Sequence, residues 1–157
     1  MRINLVCIGK TDQKLFREQL DYYITRFPKH WNFQLIEIPD VKNAKNLSPD
    51  QIKKEEAKLF AQHIDTGDMV VLLDERGKQY SSREFAKKID HWQSVSVKKV
   101  NFLIGGAWGV AEEIHQRANE KMALSKMTFT HQMVRLFITE QIYRADQILQ
   151  GKPYHND

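Results

Sequence analysis

The sequence predicts an α/β domain on a largely parallel sheet. β-rich apolar runs alternate with segments of helical spacing, and the connections between them are short. Two runs, MVVLL (69–73) and VNFLI (100–104), are apolar almost throughout, the pattern of strands covered on both faces.

Each element has its own reason. RINLVCIG (2–9) reads as a strand ending at Gly9. From Lys14 to Phe27, Leu15, Leu20, Tyr23, Ile24 and Phe27 recur at near-helical spacing until Pro28 stops them. FQLIEI (33–38) alternates and ends at Pro39, a second strand, and VKNAKNLSPD is a polar, mobile loop. Ser48 caps and Pro49 opens a helix through Ile64. After the strand 69–73, Glu75-Arg76-Gly77-Lys78 reads as a turn, and Ser82 as the cap of a helix to about Trp92. The strand 100–104 runs into GGAWG, Val110 to Asn119 is helical, and MALSKMTF (122–129) is a short strand and loop. A long helix, His131 to Gln150, closes at Gly151.

With 157 residues, 41% hydrophobic and 28% charged, the chain is expected to be one domain, 1–157, with a core of its own. Collagen-like, low-complexity and wholly disordered classes are excluded. A single cysteine, Cys7, excludes an internal disulfide and a CxxC zinc site, and makes the cytoplasm the expected address. His30, His63, His91 and His115 have no metal-ligand spacing. No apolar run approaches membrane-spanning length, and the start, MRINLVCIGK, is too briefly apolar for a secretory signal.

The net charge of +4 arises in the middle of the chain, where Arg76, Lys78, Arg83, Lys87, Lys88, Lys98 and Lys99 face only Glu84 and Asp90. An anionic partner or a solvated helix face explains it equally well. The last helix is apolar nearly all round: Met133, Val134, Leu136, Phe137, Ile138, Ile142, Ala145, Ile148 and Leu149. Such a helix buries more than one face. One face is expected on the sheet and another on a second copy, as a two-fold homodimer.

Gly105, Gly106 and Gly109 lie at the carboxyl end of a buried strand, the edge where open α/β sheets bind ligands. GGxxG is neither the dinucleotide fingerprint nor a P-loop, and by itself it is also a plain tight turn. Asp74 ends the other buried strand and reads as a loop-capping carboxylate or a ligand for a hydroxyl or amine. LSKMTFTHQMVR (124–135) offers backbone donors and acceptors suited to an adenine edge. Arg135 is read as a fork for a carboxylate or phosphate, or as an ion pair with Glu140 or a neighbour. The tail Gly151-Lys152-Pro153-Tyr154-His155 is either frayed or able to stack a flipped base.

Taken together, IGKTD, RFP, LIEIPD, LLDERGKQYSS, FLIGGAWGV, ALSKMTFTHQMVRLFITEQIYRA and GKPYH resemble, from end to end, the small bacterial SPOUT-class methyltransferases of 23S ribosomal RNA that act on N3 of a pseudouridine. The resemblance implies an α/β knot with a carboxy-terminal trefoil, a homodimer, and S-adenosylmethionine as methyl donor, with no metal. It assigns donor contacts to Leu73, Gly105, Leu124, Ser125, Lys126, Met127, Thr128 and Phe129. It implies a substrate in the assembled ribosome. His155 is the candidate base or base-positioner, Tyr154 stacks the target ring, Arg135 or Arg144 adds positive charge, and His131 is the second base. Two departures stand out: Trp108 puts a bulky ring in the glycine turn, and Asn156-Asp157 follow the Tyr-His pair where relatives carry a basic residue. Rival readings are a SPOUT enzyme acting on another RNA such as tRNA, a non-catalytic ribosome-binding protein, and a small-metabolite enzyme.

Overall fold

The computed structural model describes residues 1–155. Five parallel strands form one sheet in the order β2-β1-β4-β3-β5: β1 (Arg2–Ile8), β2 (Gln34–Ile38), β3 (Met69–Gln79), β4 (Lys99–Ile104) and β5 (Glu120–Ala123). The helices are α1 (Lys14–Ile24), α2 (Pro49–Ala61), α3 (Ser82–Ser94), α4 (Glu112–Arg117) and α5 (His131–Leu149). Alternate strand positions divide the core. Ile3, Leu5, Cys7, Val100, Phe102 and Ile104 pack with Phe85, Ile89 and Trp92 of α3 and Ile138 and Ile142 of α5. Val6, Ile8, Val70, Leu72 and Leu103 pack with Phe60 of α2 and Ile114 of α4. The sheet is thus covered on both faces, which is why its central strands read as unbroken apolar runs.

Several expected boundaries shift. α1 ends at Ile24, not Phe27: the Thr25 hydroxyl donates to Asp21 O (2.9 Å), and Phe27 leaves the helix to stack on Phe33 at 4.2 Å. Ser81, not Ser82, caps α3, because Glu84 lies three residues after Ser81 and returns its carboxylate to the Ser81 N–H at 2.7 Å. Ser82 instead donates to Gln141 Oε1 at 2.7 Å, tying α3 to α5. Ser48 caps α2 as expected, but the helix stops at Ala61. In the stretch expected to be a mobile loop, Ala44–Asn46 form a 3-10 turn. α4 ends at Arg117, because Asn119 pairs with Val70 of β3 through both its N–H (2.9 Å) and its side-chain oxygen (2.8 Å).

The largest correction concerns Glu75-Arg76-Gly77-Lys78, which lies within β3 and is not a turn between elements. β3 pairs with β5 from Val71 to Leu73, bulges, and resumes at Lys78, so that Met122 faces both Leu73 and Lys78.

α5 lies between α1 and α3 on the sheet. Its two-sided apolar pattern therefore has partners inside the chain, while Phe137 and Leu149 remain exposed.

Candidate active site

The order β4-β3-β5 brings three carboxyl ends side by side. Around the ends of β4 and β5 and the bulge of β3 opens a cavity of about 470 Å³, walled by Leu72–Arg76, by Ile104–Ala107 without Trp108 but with Gly109 and Val110, and by Met122–Ser125 with Met127–Phe129, His131 and Val134. That volume is within the range of small-molecule sites, ~300–1,000 Å³. Of the residues assigned to the methyl donor, Leu73, Gly105, Leu124, Ser125, Met127, Thr128 and Phe129 line it, and Lys126 does not. The Ser125 hydroxyl accepts from the Met127 N–H at 3.0 Å, and Phe129 packs edge-on to Phe137 of α5 at 5.2 Å. Trp108 is 59% exposed and does not line the cavity, so its ring leaves the interior open.

Other candidates are placed unevenly. Asp74 caps its own bulge, accepting from the Arg76 N–H (2.8 Å), Nε (3.1 Å) and Nη2 (3.0 Å), and these bonds hold its pKa below the usual range. His131 lines the cavity, and partial desolvation of its ring, with the positive charge of Arg135, lowers its pKa, favouring a neutral ring.

Arg135 follows the second of its two sequence readings, and the neighbour it pairs with is Glu37 rather than Glu140. It is 2% exposed and absent from the cavity wall. Its Nη2 donates to Ile8 O (2.5 Å), its Nη1 donates to Thr11 Oγ1 (2.9 Å), and Nη1 is 3.5 Å from Glu37 Oε1. It ties α5 to the end of β1, and Glu140 pairs with Arg144 instead (2.6 Å).

Glu37 also accepts from the Thr11 N–H and Arg17, each at 2.5 Å. Burial favours its neutral form, but these bonds outweigh burial and lower its pKa. A depressed carboxylate pKa contributes stability above the unfolded value, and that stability is lost as pH falls through the folded one. Glu37→Gln is therefore expected to melt below the parent at pH 7 and to converge with it under acid, below pH ~4, in thermal melts across pH.

The tail is not frayed. The Tyr154 hydroxyl donates to Glu140 Oε1 (3.1 Å) and lies 3.4 Å from that of Tyr23, and its ring meets Tyr143 edge-on at 5.1 Å. His155 Nδ1 is 3.2 Å from Arg144 Nη1. A guanidinium only donates, so Nδ1 accepts and the ring proton resides on Nε2. Glu140 and Arg144 border a second groove of about 630 Å³ between α1, α3 and α5. The two spaces share Met122, Ala123, Leu124 and Phe129, so Glu140 and Arg144, which hold the tail, lie on the groove across that wall from the first cavity. The non-basic pair Asn156-Asp157 lies outside the described residues.

The surplus charge does not form one patch. Arg76 pairs with Asp74 at the carboxyl edge, Lys88 with Glu120, and Lys99 with Asp65 and Asp68 at the amino edge.

Sequence reasoning missed Glu56, which is 5% exposed and accepts from the Gly106 N–H at 3.3 Å. Its signal was available: Ile52, Glu56 and Phe60 are four apart, so a carboxylate occupies a position in the apolar stripe of α2.

The residues present suit a nucleoside ligand, since apolar side chains such as Leu73, Val110 and Leu124 share the wall with polar groups and with the glycines 105, 106 and 109. Among the described residues no cluster of His, Cys, Asp or Glu could hold a metal, and no helix is long and apolar enough to cross a membrane.

The fold is similar to that of a solved structure titled a probable methylase family protein, from Haemophilus influenzae Rd KW20. That likeness has a TM-score of 0.56 at 14% identity, covers 99% of this chain and 70% of that one, and concerns the fold alone. The class is a methyltransferase: the family model described as "Predicted SPOUT methyltransferase" matches residues 1–155. The chain belongs to the SPOUT methyltransferase family. It is 47% identical over 156 residues to a protein of Christiangramia forsetii, covering 99% of each, and 43% identical over 157 residues to one of Parabacteroides distasonis, covering 100% of each. Both relatives are named ribosomal RNA large subunit methyltransferase H.

Proposed function

We propose that this protein methylates N3 of a pseudouridine in the 23S RNA of the assembled ribosome, as a cytoplasmic homodimer with a carboxy-terminal trefoil knot. The observation that carries the reading is the convergence of Leu73, Gly105 and the 124–129 loop, far apart in sequence, on one cavity of small-molecule size. The relatives named for large-subunit ribosomal RNA supply the substrate class. Phe137 and Leu149 of α5, left exposed at separate points of the helix, are apolar side chains that a second copy would cover.

When bound, S-adenosylmethionine supplies an electrophilic methyl group. The chain supplies the rest. Backbone groups at Gly105 and in the 124–129 loop orient the donor, and proximity lowers the barrier. N3 becomes nucleophilic only as its imino proton leaves, so an acceptor is required. Tyr154 stacks the target ring and His155 accepts or positions the N3 proton. His155 is held by Arg144, which borders the groove beyond the wall, so it serves the cavity of a second copy or is released from Arg144. His131, on the cavity wall, is the second acceptor.

The test is mass spectrometry of ribosomal RNA from a strain lacking this chain, before and after complementation, with calorimetry of the purified protein against S-adenosylmethionine. One methyl group missing from one pseudouridine and restored by the parent is the expected result. A missing tRNA methyl group would favour the other SPOUT reading, and no donor binding would favour a non-catalytic ribosome-binding protein. His155→Ala with full turnover on ribosomes would remove His155 from its role.

A further inference from the structure

Glu56 is a buried carboxylate that, among the described residues, pairs with no Lys, Arg or His. An unpaired buried charge is costly. Burial pushes its pKa up, the Gly106 N–H opposes that shift, and Asp40 adds to it. Among the described residues its only hydrogen-bond partner is the Gly106 N–H, at 3.3 Å from Oε2. Gly106 is tied on its other side as well, accepting from the Gly109 N–H at 3.1 Å. A Cβ on Gly106 would collide with Glu56 Oε1 and come within 2.9 Å of its carboxyl carbon, so the carboxylate occupies the space beside the glycine.

Gly105 and Gly106 line the cavity, and Glu56 does not. The peptide joining the two glycines is trans, so its C=O and N–H point in opposite directions. An N–H drawn back to Glu56 therefore turns the Gly105 carbonyl forward.

We infer that Glu56 is a positioning residue: it locks the Gly105–Gly106 peptide so that the Gly105 carbonyl is presented to the cavity as an acceptor for a hydroxyl or ammonium group of the bound nucleoside. The inference rests on the donor-binding reading above. It explains a glycine at 106 by the carboxylate beside it, and a carboxylate in an apolar stripe by the peptide it holds.

The test uses the full chain, S-adenosylmethionine in calorimetry and donor-dependent turnover, and amide hydrogen exchange at Gly106. Glu56→Leu keeps the bulk and removes the acceptor. It is expected to bind the donor about tenfold more weakly, to raise KM with little change in kcat, and to expose the Gly106 amide, without a lower Tm. Glu56→Gln keeps an acceptor oxygen and is expected to stay within about threefold of the parent. Gly106→Ala attacks the same contact from the other side, without needing Glu56→Leu to fold, and is expected to weaken donor binding similarly.

Parent-like affinity in Glu56→Leu, or equal losses in Glu56→Leu and Glu56→Gln, would overturn the inference. Unchanged Gly106 exchange in Glu56→Leu would overturn it independently. A parent protein that binds no donor would instead overturn the functional reading and the donor half of this one, and the Gly106 exchange would still decide the anchor.

Discussion

Arg135→Met is expected to lower stability by about 3 kcal/mol, a fall in Tm of roughly 6–12 °C for a chain of this size. The guanidinium is buried and serves Ile8 O and Thr11 Oγ1 through hydrogen bonds, with Glu37, which Arg17 also holds, 3.5 Å away. Removing it strips a charge-assisted bond from the Ile8 carbonyl and leaves Glu37 to Arg17 and the Thr11 N–H. Arg135→Lys is expected to recover only part of the loss, since one ammonium cannot reproduce the fork. Thermal and urea melts measure both. A variant with parent stability and no methyl transfer would return Arg135 to the catalytic role suggested by its position in the HQMVR segment.

Gly77→Ala is expected to be the most damaging single-methyl addition in the chain. A Cβ there would lie 2.5 Å from Met122 N and 2.6 Å from both Lys121 C and Met122 C. These are backbone atoms of β5, so no side-chain rotation relieves the contact and the strand itself has to move. Overpacking of this kind costs about 1–3 kcal/mol. The functional loss is larger, because β5 leads directly into Leu124 and the loop that walls the cavity. Calorimetry with S-adenosylmethionine is expected to show at least about a hundredfold loss, the scale of a roughly 1 Å misplacement. Gly67→Ala is the control: nothing lies within 4 Å of its Cβ, and it is expected to be neutral or slightly stabilising.

The order of strands and helices was legible because hydrophobic period and capping chemistry act over a few residues. Ser48 and the apolar runs of β3 and β4 were identified on those grounds. The bulge at Asp74–Gly77 was misread as a turn, since Asp, Gly and charged residues serve both purposes. What separates them is whether pairing with β5 resumes at Lys78, a contact more than forty residues away. Arg135 was visible as a helix residue with an unusual charge, but helical spacing says which face it occupies and not which carbonyl it meets. Tyr154 looked like the end of a frayed tail, because Glu140 and Tyr23 come to it through the third dimension. The cavity-lining glycines and the 124–129 loop were identified through their combination as a set, whereas Glu56 sat unnoticed among the charges of KKEEAK.

The partition formed by Met122, Ala123, Leu124 and Phe129 belongs to both hollows, and Phe129 is braced on Phe137 of α5. A substitution at any of these four residues therefore alters the lining of both spaces, and an effect on one is to be read beside its effect on the other.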